Sequence, residues 1–268
     1  MNELLRALAV LAEPPAPEHE RVAASLGLDP PRSEEYADIF LQQLYPYASV
    51  YAGAEGMLGG EARDRVAGFW RALGLVPPAE PDHLTALLGL LAALEAPEHR
   101  RALLWEHLLS WLSPWLAKLD EIAPPAYRAW GRLLGTALEE EARALGPLEG
   151  LPLHLRAAPP LEHDDLLGGV LVPVRSGVLL VRDDLAHAAR ELGLGVRIAE
   201  RRYVLRALLA QDAAPTLAWL AAEARRWAGL HAERPGPIGE FWQERAEAAA
   251  ALLDDACTAA REREVAHA

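Results

Sequence analysis

Nine histidines and their acidic neighbours are the residues of this sequence best suited to catalysis, because imidazole and carboxylate groups together can bind a metal ion. Such pairs occur at Asp82-His83, at Glu106-His107 and in His163-Asp164-Asp165. An HD-like metal-dependent phosphohydrolase needs spaced ligands of these types. However, the sequence contains no HExxH or EF-hand pattern, and its one His-Asp pair in that order lies in a loop-rich region. We therefore predict no metal site and keep the HD-like hydrolase as the less favoured alternative.

The sequence supports a catalytic nucleophile or a phosphate-binding loop no better than it supports a metal site. Four glycines lie between positions 53 and 60, but no Gly-Lys-Ser/Thr follows them and no strong strand precedes them. Cys257 lies in an alanine-rich segment, and Ser176 lies in Arg-Ser-Gly rather than in Gly-x-Ser-x-Gly. We predict no catalytic residue, and hence a protein that is not an enzyme.

Aromatic side chains crowd into two short stretches, Tyr36–Tyr51 and Trp105–Trp115. One interpretation is that they form the core of a helical bundle. The other is that they bind a partner, because tyrosine and tryptophan combine an apolar body with a polar tip. An aromatic groove rimmed by Glu80 and Asp82 would suit a peptide that is apolar along its length and positive at one end. The residues alone leave both interpretations open.

Composition limits the class of protein to which this 268-residue chain belongs. Hydrophobic residues make up 51% and charged residues 24%, which excludes wholesale disorder. The single cysteine, Cys257, cannot form an internal disulfide and fits a reducing compartment. A formal net charge of −13 disfavours nucleic acid and anionic membranes as partners, and no apolar run is long enough to span a bilayer. We expect a cytoplasmic protein with no nucleic-acid partner and no stable membrane insertion.

The elements that must position these residues are helices, because alanine and leucine dominate and β-branched residues are sparse. The predicted fold class is all-α, with a helical bundle over residues 1–145. A mainly helical extension follows over residues 146–268, either separate or packed on the first domain as one unit. The only β-like run, residues 169–181, contains a proline and a glycine and predicts at best a short hairpin. Proline-rich linkers leave a homodimer open.

Five segments between Arg32 and Leu145 resemble, in order, the motifs of the TorD/DmsD/NarJ family of redox-enzyme maturation chaperones. They are Tyr36-Ala-Asp-Ile-Phe40, Tyr45-Pro-Tyr-Ala-Ser-Val-Tyr51, Glu80-Pro-Asp-His-Leu84, Glu106-His-Leu-Leu-Ser-Trp-Leu-Ser-Pro114, and Ala126-Tyr127 with the helix after it. Each motif alone is weakly specific, whereas the ordered set is strongly specific. The sequence departs from the family pattern where a spacer between Pro81 and Asp82 is absent, and it is longer than a typical member.

The resemblance implies an all-α chaperone of the TorD-like type, with no catalytic reaction and no cofactor of its own. Such proteins bind the twin-arginine leader of the apo catalytic subunit of a molybdenum-dependent oxidoreductase. They assist insertion of the molybdenum cofactor and prevent premature export. The leader-binding candidates are Tyr36, Phe40, Tyr47, Tyr51, Glu80, Asp82, His83, His107 and Trp111.

Two alternatives stay open at this point. A helical adaptor that grips some other protein segment would show the same aromatic and acidic features. Within the candidate site, Asp82 would cap its helix and His83 would hydrogen-bond the loop, so that the pair shapes the groove without touching a peptide.

Overall fold

The structure is a computed structural model that describes residues 1–197 and 199–267. Helices account for 72% of the chain, and the described residues form no strand, which confirms the prediction of an all-α fold. The chain divides into two compact units, Met1–Ala157 (unit 1) and Ala158–Ala268 (unit 2). The division predicted after residue 145 falls in the loop that precedes the last short helix of unit 1.

Unit 1 is built from helices that are mostly short, because prolines and glycines interrupt the apolar pattern. They are α1 (Asn2–Val10), α2 (Pro17–Ser25), α3 (Ser33–Tyr36), α4 (Ala48–Ala52), α5 (Gly60–Ala72), α6 (Leu84–Ala93), α7 (Pro97–Ala102), α8 (Ser110–Ile122), α9 (Pro125–Leu145) and α10 (Leu153–Ala157). Two π-helical segments join them: the first (Ala37–Gln43) continues α3, and the second (Leu103–Leu109) connects α7 to α8.

The second π-helical segment interrupts what the sequence predicts as one long helix from about Glu98 to Leu119. Pro114 lies inside α8 and has no N–H to donate to the carbonyl of Ser110. The wider π-helical segment ends at Leu109, directly before Ser110. The predicted helix is therefore divided into α7, the second π-helical segment and α8.

The core of unit 1 is an aromatic cluster contributed by the first π-helical segment, α8 and α9. Phe40 stacks on Trp115 with ring centroids 5.8 Å apart, and its ring meets Tyr127 edge-on at 4.9 Å. The indole N–H of Trp130 donates to the carbonyl of Leu8 at 3.1 Å, which ties α9 to α1. Buried indoles need such partners, so the aromatic core also determines which backbone segments lie against it.

Arg100 joins two helices inside unit 1 and is only 7% exposed. Its guanidinium contacts the Glu141 carboxylate of α9 at 2.5 Å. It also donates to the carbonyls of Leu91 and Leu94 at 2.7 and 2.9 Å. The carbonyls at the end of α6 lack partners within their own helix, so this one cation satisfies them and pairs a buried carboxylate at the same time.

Unit 2 is dominated by a long antiparallel pair of helices, against which the shorter elements pack. Its helices are α11 (Leu166–Gly169), α12 (Pro173–Ser176), α13 (Arg182–Glu191), α14 (Arg201–Gln211), α15 (Ala213–Ala232) and α16 (Pro237–His267), and a 3₁₀ turn spans His163–Asp165. The antiparallel pair consists of α15 and α16.

The short β-hairpin predicted over residues 169–181 does not form, and this part of the prediction is wrong. Pro173 begins α12, where its missing N–H is not needed. Gly177 ends α12 with a φ of 70°. The four apolar residues after it, 178–181, are at most 2% exposed and lie in no strand. Because helices bury these consecutive residues, the run is apolar throughout although it pairs with no strand.

Candidate peptide-binding site

Two loops of unit 1 cross next to the starts of α4 and α6. The N–H of Ala48 donates to the carbonyl of Asp82 at 3.0 Å, and the N–H of Leu84 donates to the carbonyl of Pro46 at 2.8 Å. These bonds make Tyr47 and His83 an isolated antiparallel bridge. The crossing therefore brings together two of the sequence motifs, which lie more than 30 residues apart.

Asp82 lies beneath this crossing and is 1% exposed. Its Oδ2 accepts the N–H of Ser49 at 3.1 Å. Ser49 is the second residue of α4, whose own N-cap residue, Tyr47, provides no side-chain cap. Asp82 therefore supplies from another segment the carboxylate that a helix N-terminus prefers. Its position matches the capping alternative, although the helix that it caps is α4 and not the α6 that follows it.

His83 caps α6, because its Nδ1 accepts the N–H of Thr85 at 3.2 Å. This bond places the ring proton of the neutral imidazole on Nε2. Burial lowers the pKa of His83, while the nearby carboxylates of Glu80 and Asp82 oppose that shift. His83 is thus a half-buried, neutral imidazole at the edge of the crossing.

Tyr47, Glu80 and His83 form a polar cluster at the surface, named here the Tyr47–Glu80–His83 cluster. The Tyr47 hydroxyl donates to Glu80 Oε2 at 2.8 Å, and burial together with this carboxylate raises the pKa of Tyr47. The Tyr47 and His83 rings meet nearly at right angles with centroids 4.7 Å apart. Glu80 is exposed. An oriented, accessible carboxylate beside two aromatic rings can bind a guanidinium.

The remaining aromatic candidates lie in the core and not along an open groove. The exposed fractions of Tyr36, Phe40, Tyr51 and Trp111 are 5%, 1%, 3% and 0%. The Tyr51 hydroxyl donates to the carbonyl of Tyr45 at 2.8 Å, and the Tyr51 ring stacks on Trp111 at 5.5 Å. These side chains hold the helices beneath the cluster, and a direct role in peptide binding stays a prediction.

His107 is placed away from the cluster, in a buried pair with a residue that the sequence interpretation missed. Its Nδ1 lies 3.1 Å from Nε2 of His154 in α10. Burial, and to a lesser extent the nearby His154, lower the pKa of His107 to about 3. Burial and the Arg65 charge lower the pKa of His154 to about 4. Both rings are therefore neutral at pH 7. The only sequence signal for His154 is its position between two leucines.

The same end of α10 is held by a second bond. Glu106 Oε2 accepts the N–H of Leu153 at 2.6 Å, at the N-terminus of α10. Glu106 and His107, which the sequence suggested as metal ligands, therefore hydrogen-bond to α10 and hold it against the second π-helical segment.

The other acidic and histidine motif, His163-Asp164-Asp165, forms the 3₁₀ turn of unit 2. Within residues 1–197 and 199–267, no three His, Cys, Asp or Glu side chains are grouped so that they could hold a metal ion. Across the same described residues, no helix combines the length and the apolar character needed to cross a membrane.

No curated protein and no solved structure matches the chain. One family model does match, over roughly a third of the sequence, and the matched stretch contains the crossing of the two loops and the whole Tyr47–Glu80–His83 cluster. Residues 31–119 match the family described as the nitrate reductase delta subunit, the NarJ/TorD-type chaperone family that the ordered motifs indicate.

Proposed function

We propose that this protein is a cytoplasmic chaperone for a molybdenum-dependent oxidoreductase. It binds the twin-arginine leader of the apo catalytic subunit, assists cofactor insertion and prevents premature export. The observation that carries the proposal is the exposed Glu80 carboxylate, oriented by Tyr47 and lying within the stretch that matches the delta-subunit family.

Recognition of the arginine pair follows from the chemistry of the Tyr47–Glu80–His83 cluster. Tyr47 occupies Oε2 of Glu80, and none of the described residues hydrogen-bonds to Oε1. That oxygen can accept from a guanidinium, whose planar face can lie against the Tyr47 ring. A hydrogen bond to a charged group contributes about 1.5–3 kcal/mol, which corresponds to roughly tenfold or more in affinity.

The charge of unit 1 supports the same partner. Residues 1–157 contain 13 Lys and Arg against 22 Asp and Glu, a formal net charge of −9. This excess of negative charge attracts a basic leader over a distance that salt shortens, so it increases the rate of encounter more than the final affinity. The cluster then provides the short-range contact that distinguishes arginine from lysine.

The experiment is a titration of the full chain with a synthetic leader that carries the Arg-Arg pair, and with its Lys-Lys variant. We expect micromolar binding of the first and weaker binding of the second. Glu80→Gln should weaken Arg-Arg binding about tenfold, because the amide still accepts from Tyr47 but lacks the charge. Glu140→Gln, an exposed acid on α9, is the matched control and should change the affinity less than twofold.

Two results would count against the proposal. If neither peptide binds at micromolar concentration, the cluster does not recognise a leader, and a helical adaptor for a different segment becomes the better hypothesis. If both peptides bind equally and Glu80→Gln behaves like Glu140→Gln, the interaction is only general attraction to an acidic protein.

A further inference from the structure

Unit 2 contains an apolar groove that the stretch matching the delta-subunit family does not include. Its volume is about 460 Å³, within the range of sites that bind ligands or side chains of a partner. The walls come from α11, α14, α15 and α16 and are almost entirely aliphatic. The apolar lining residues that are at least partly accessible are Leu166, Leu167, Leu209, Ala213, Ala256 and Ala259.

The helix α16 is much longer than α15, with which it pairs, and the groove lies beside the first turns of α15. The Cys257 thiol contacts the carbonyl of Ala214 at 3.2 Å, so Cys257 lies level with the first residues of α15. Residues 258–267 of α16 therefore pass beyond the start of α15, by about 15 Å at the rise of an α-helix. The groove runs from the paired part of α16, at Leu253, to the part beyond the start of α15, at Ala259 and Arg263.

The accessible residues of the groove suit another helix. Leu217, Leu220 and Leu253 belong to the buried part of the lining and are at most 8% exposed, whereas Ala256 and Ala259, three residues apart on α16, are accessible. These small residues let a second backbone approach α16 closely, and the accessible leucines of α11 and α14 can receive apolar side chains spaced three and four residues apart. An extended peptide would place every second side chain away from such a groove.

The mouth of the groove favours a basic partner. The Asp164 and Asp255 carboxylates line it together with His163 and the Arg263 guanidinium. Among the described residues, neither carboxylate forms an ion pair or hydrogen bond with another side chain. Basic residues beside the apolar face of a partner helix would pair with them, while an acidic residue near Arg263 would be tolerated.

We propose that the groove of unit 2 binds an amphipathic helix of another protein, with leucine-like side chains on one face and lysine or arginine beside them. This site is separate in sequence from the Tyr47–Glu80–His83 cluster and does not depend on leader recognition. A single helix buries less surface than a standard protein–protein interface, so its affinity should lie in the micromolar range.

The test uses the full chain and a 14-residue Leu/Lys peptide designed to form an amphipathic helix, followed by fluorescence anisotropy. A peptide of the same composition with shuffled positions, and a Leu/Glu peptide with the same apolar face, are the comparison ligands. We expect the Leu/Lys peptide to bind at least tenfold more tightly than either. Ala259→Trp, which fills the groove, should weaken binding at least tenfold, whereas Ala248→Trp, at an exposed site on α16 outside the groove, should not.

Asp164→Asn combined with Asp255→Asn should reduce affinity several-fold and flatten its salt dependence. Circular dichroism establishes that each variant is folded. No binding at 200 μM, equal binding of the shuffled peptide, or full binding by Ala259→Trp would each overturn the proposal. A concentration-dependent dimer that Ala259→Trp abolishes would show that a second copy occupies the groove, and this too would overturn it. Glu80→Gln should leave Leu/Lys binding unchanged, which separates this test from that of leader recognition.

Discussion

Replacing Asp82 with alanine tests whether its buried carboxylate supports the site by capping α4. Asp82 is 1% exposed, and the Ser49 residue whose N–H it accepts is fully buried. The variant leaves that N–H without a partner where water does not reach. An unsatisfied buried donor costs about 1–3 kcal/mol, and a lost N-cap costs about 0.5–2 kcal/mol. Both figures describe the same bond, so we expect the free energy of unfolding to fall by about 2 kcal/mol.

Asp82→Asn is the informative intermediate. Its amide oxygen can still accept the Ser49 N–H, and it loses only the favourable interaction between a negative charge and the helix N-terminus, about 0.3–1 kcal/mol. The order of stability should therefore be wild type, then Asp82→Asn, then Asp82→Ala. Asp29→Ala, at an exposed loop position, is the matched control and should lie within about 0.5 kcal/mol of wild type.

Urea unfolding followed by circular dichroism gives the free energies, and thermal unfolding gives a second measure. A loss of about 2 kcal/mol should lower the Tm by about 4–8 °C for a chain of this size. Leader affinity is then measured on the folded variants. An Asp82→Ala protein as stable as wild type, with leader affinity reduced tenfold, would refute the capping argument. It would show instead that the Asp82 carboxylate contacts the peptide.

Two further predictions concern the buried histidine pair and a close backbone contact. Burial holds the pKa values of His107 and His154 at about 3 and about 4, below the ordinary value of 6.5, so the unfolded chain takes up more protons below pH 6.5. Stability should therefore decline as pH falls from about 6.5 toward 4. The double variant His107→Leu/His154→Leu should show a shallower decline of Tm with falling pH. If the Tm of the variant fell as steeply as that of the wild type, the prediction would be wrong. Gly177→Ala should lower the free energy of unfolding by more than about 2 kcal/mol, because a Cβ there would overlap the backbone of α16 at Ala246. Gly193 has a similar positive φ but no neighbouring atoms where the Cβ would lie, so Gly193→Ala should lower the free energy of unfolding by only about 1 kcal/mol. If urea unfolding gave equal losses for the two variants, the backbone angle alone would explain the effect.

Helices are largely predictable from this sequence because their signals are local. Pro97 at the start of α7, Pro125 at the start of α9 and Gly146 after its end mark boundaries by their own backbone chemistry. The π-helical turn before Pro114 is not predictable in the same way. Pro114 disturbs the hydrogen bonding of its own helix, but its local chemistry does not specify the position at which the helix widens.

The β-like run over residues 169–181 shows where local signals fail. Valine and leucine at successive positions indicate burial but not the element that causes it. In unit 2 the elements that bury this run are helices, and α16 lies directly against Gly177. A buried apolar run has the same composition whether strands or helices surround it, so only the tertiary contacts distinguish the two.

The sequence by itself determines the helical class, the acidic charge and the ordered motifs, of which the first four lie within the family match over residues 31–119. These depend on composition and local order. Only the tertiary structure decides that Tyr47 and Glu80, 33 residues apart, meet at the surface, that Asp82 lies beneath them as a cap, and that Phe40 is buried. The physical reason is that an aromatic or acidic residue suits either a core or a surface site. Its neighbours in space, contributed by distant segments, determine which of the two it occupies.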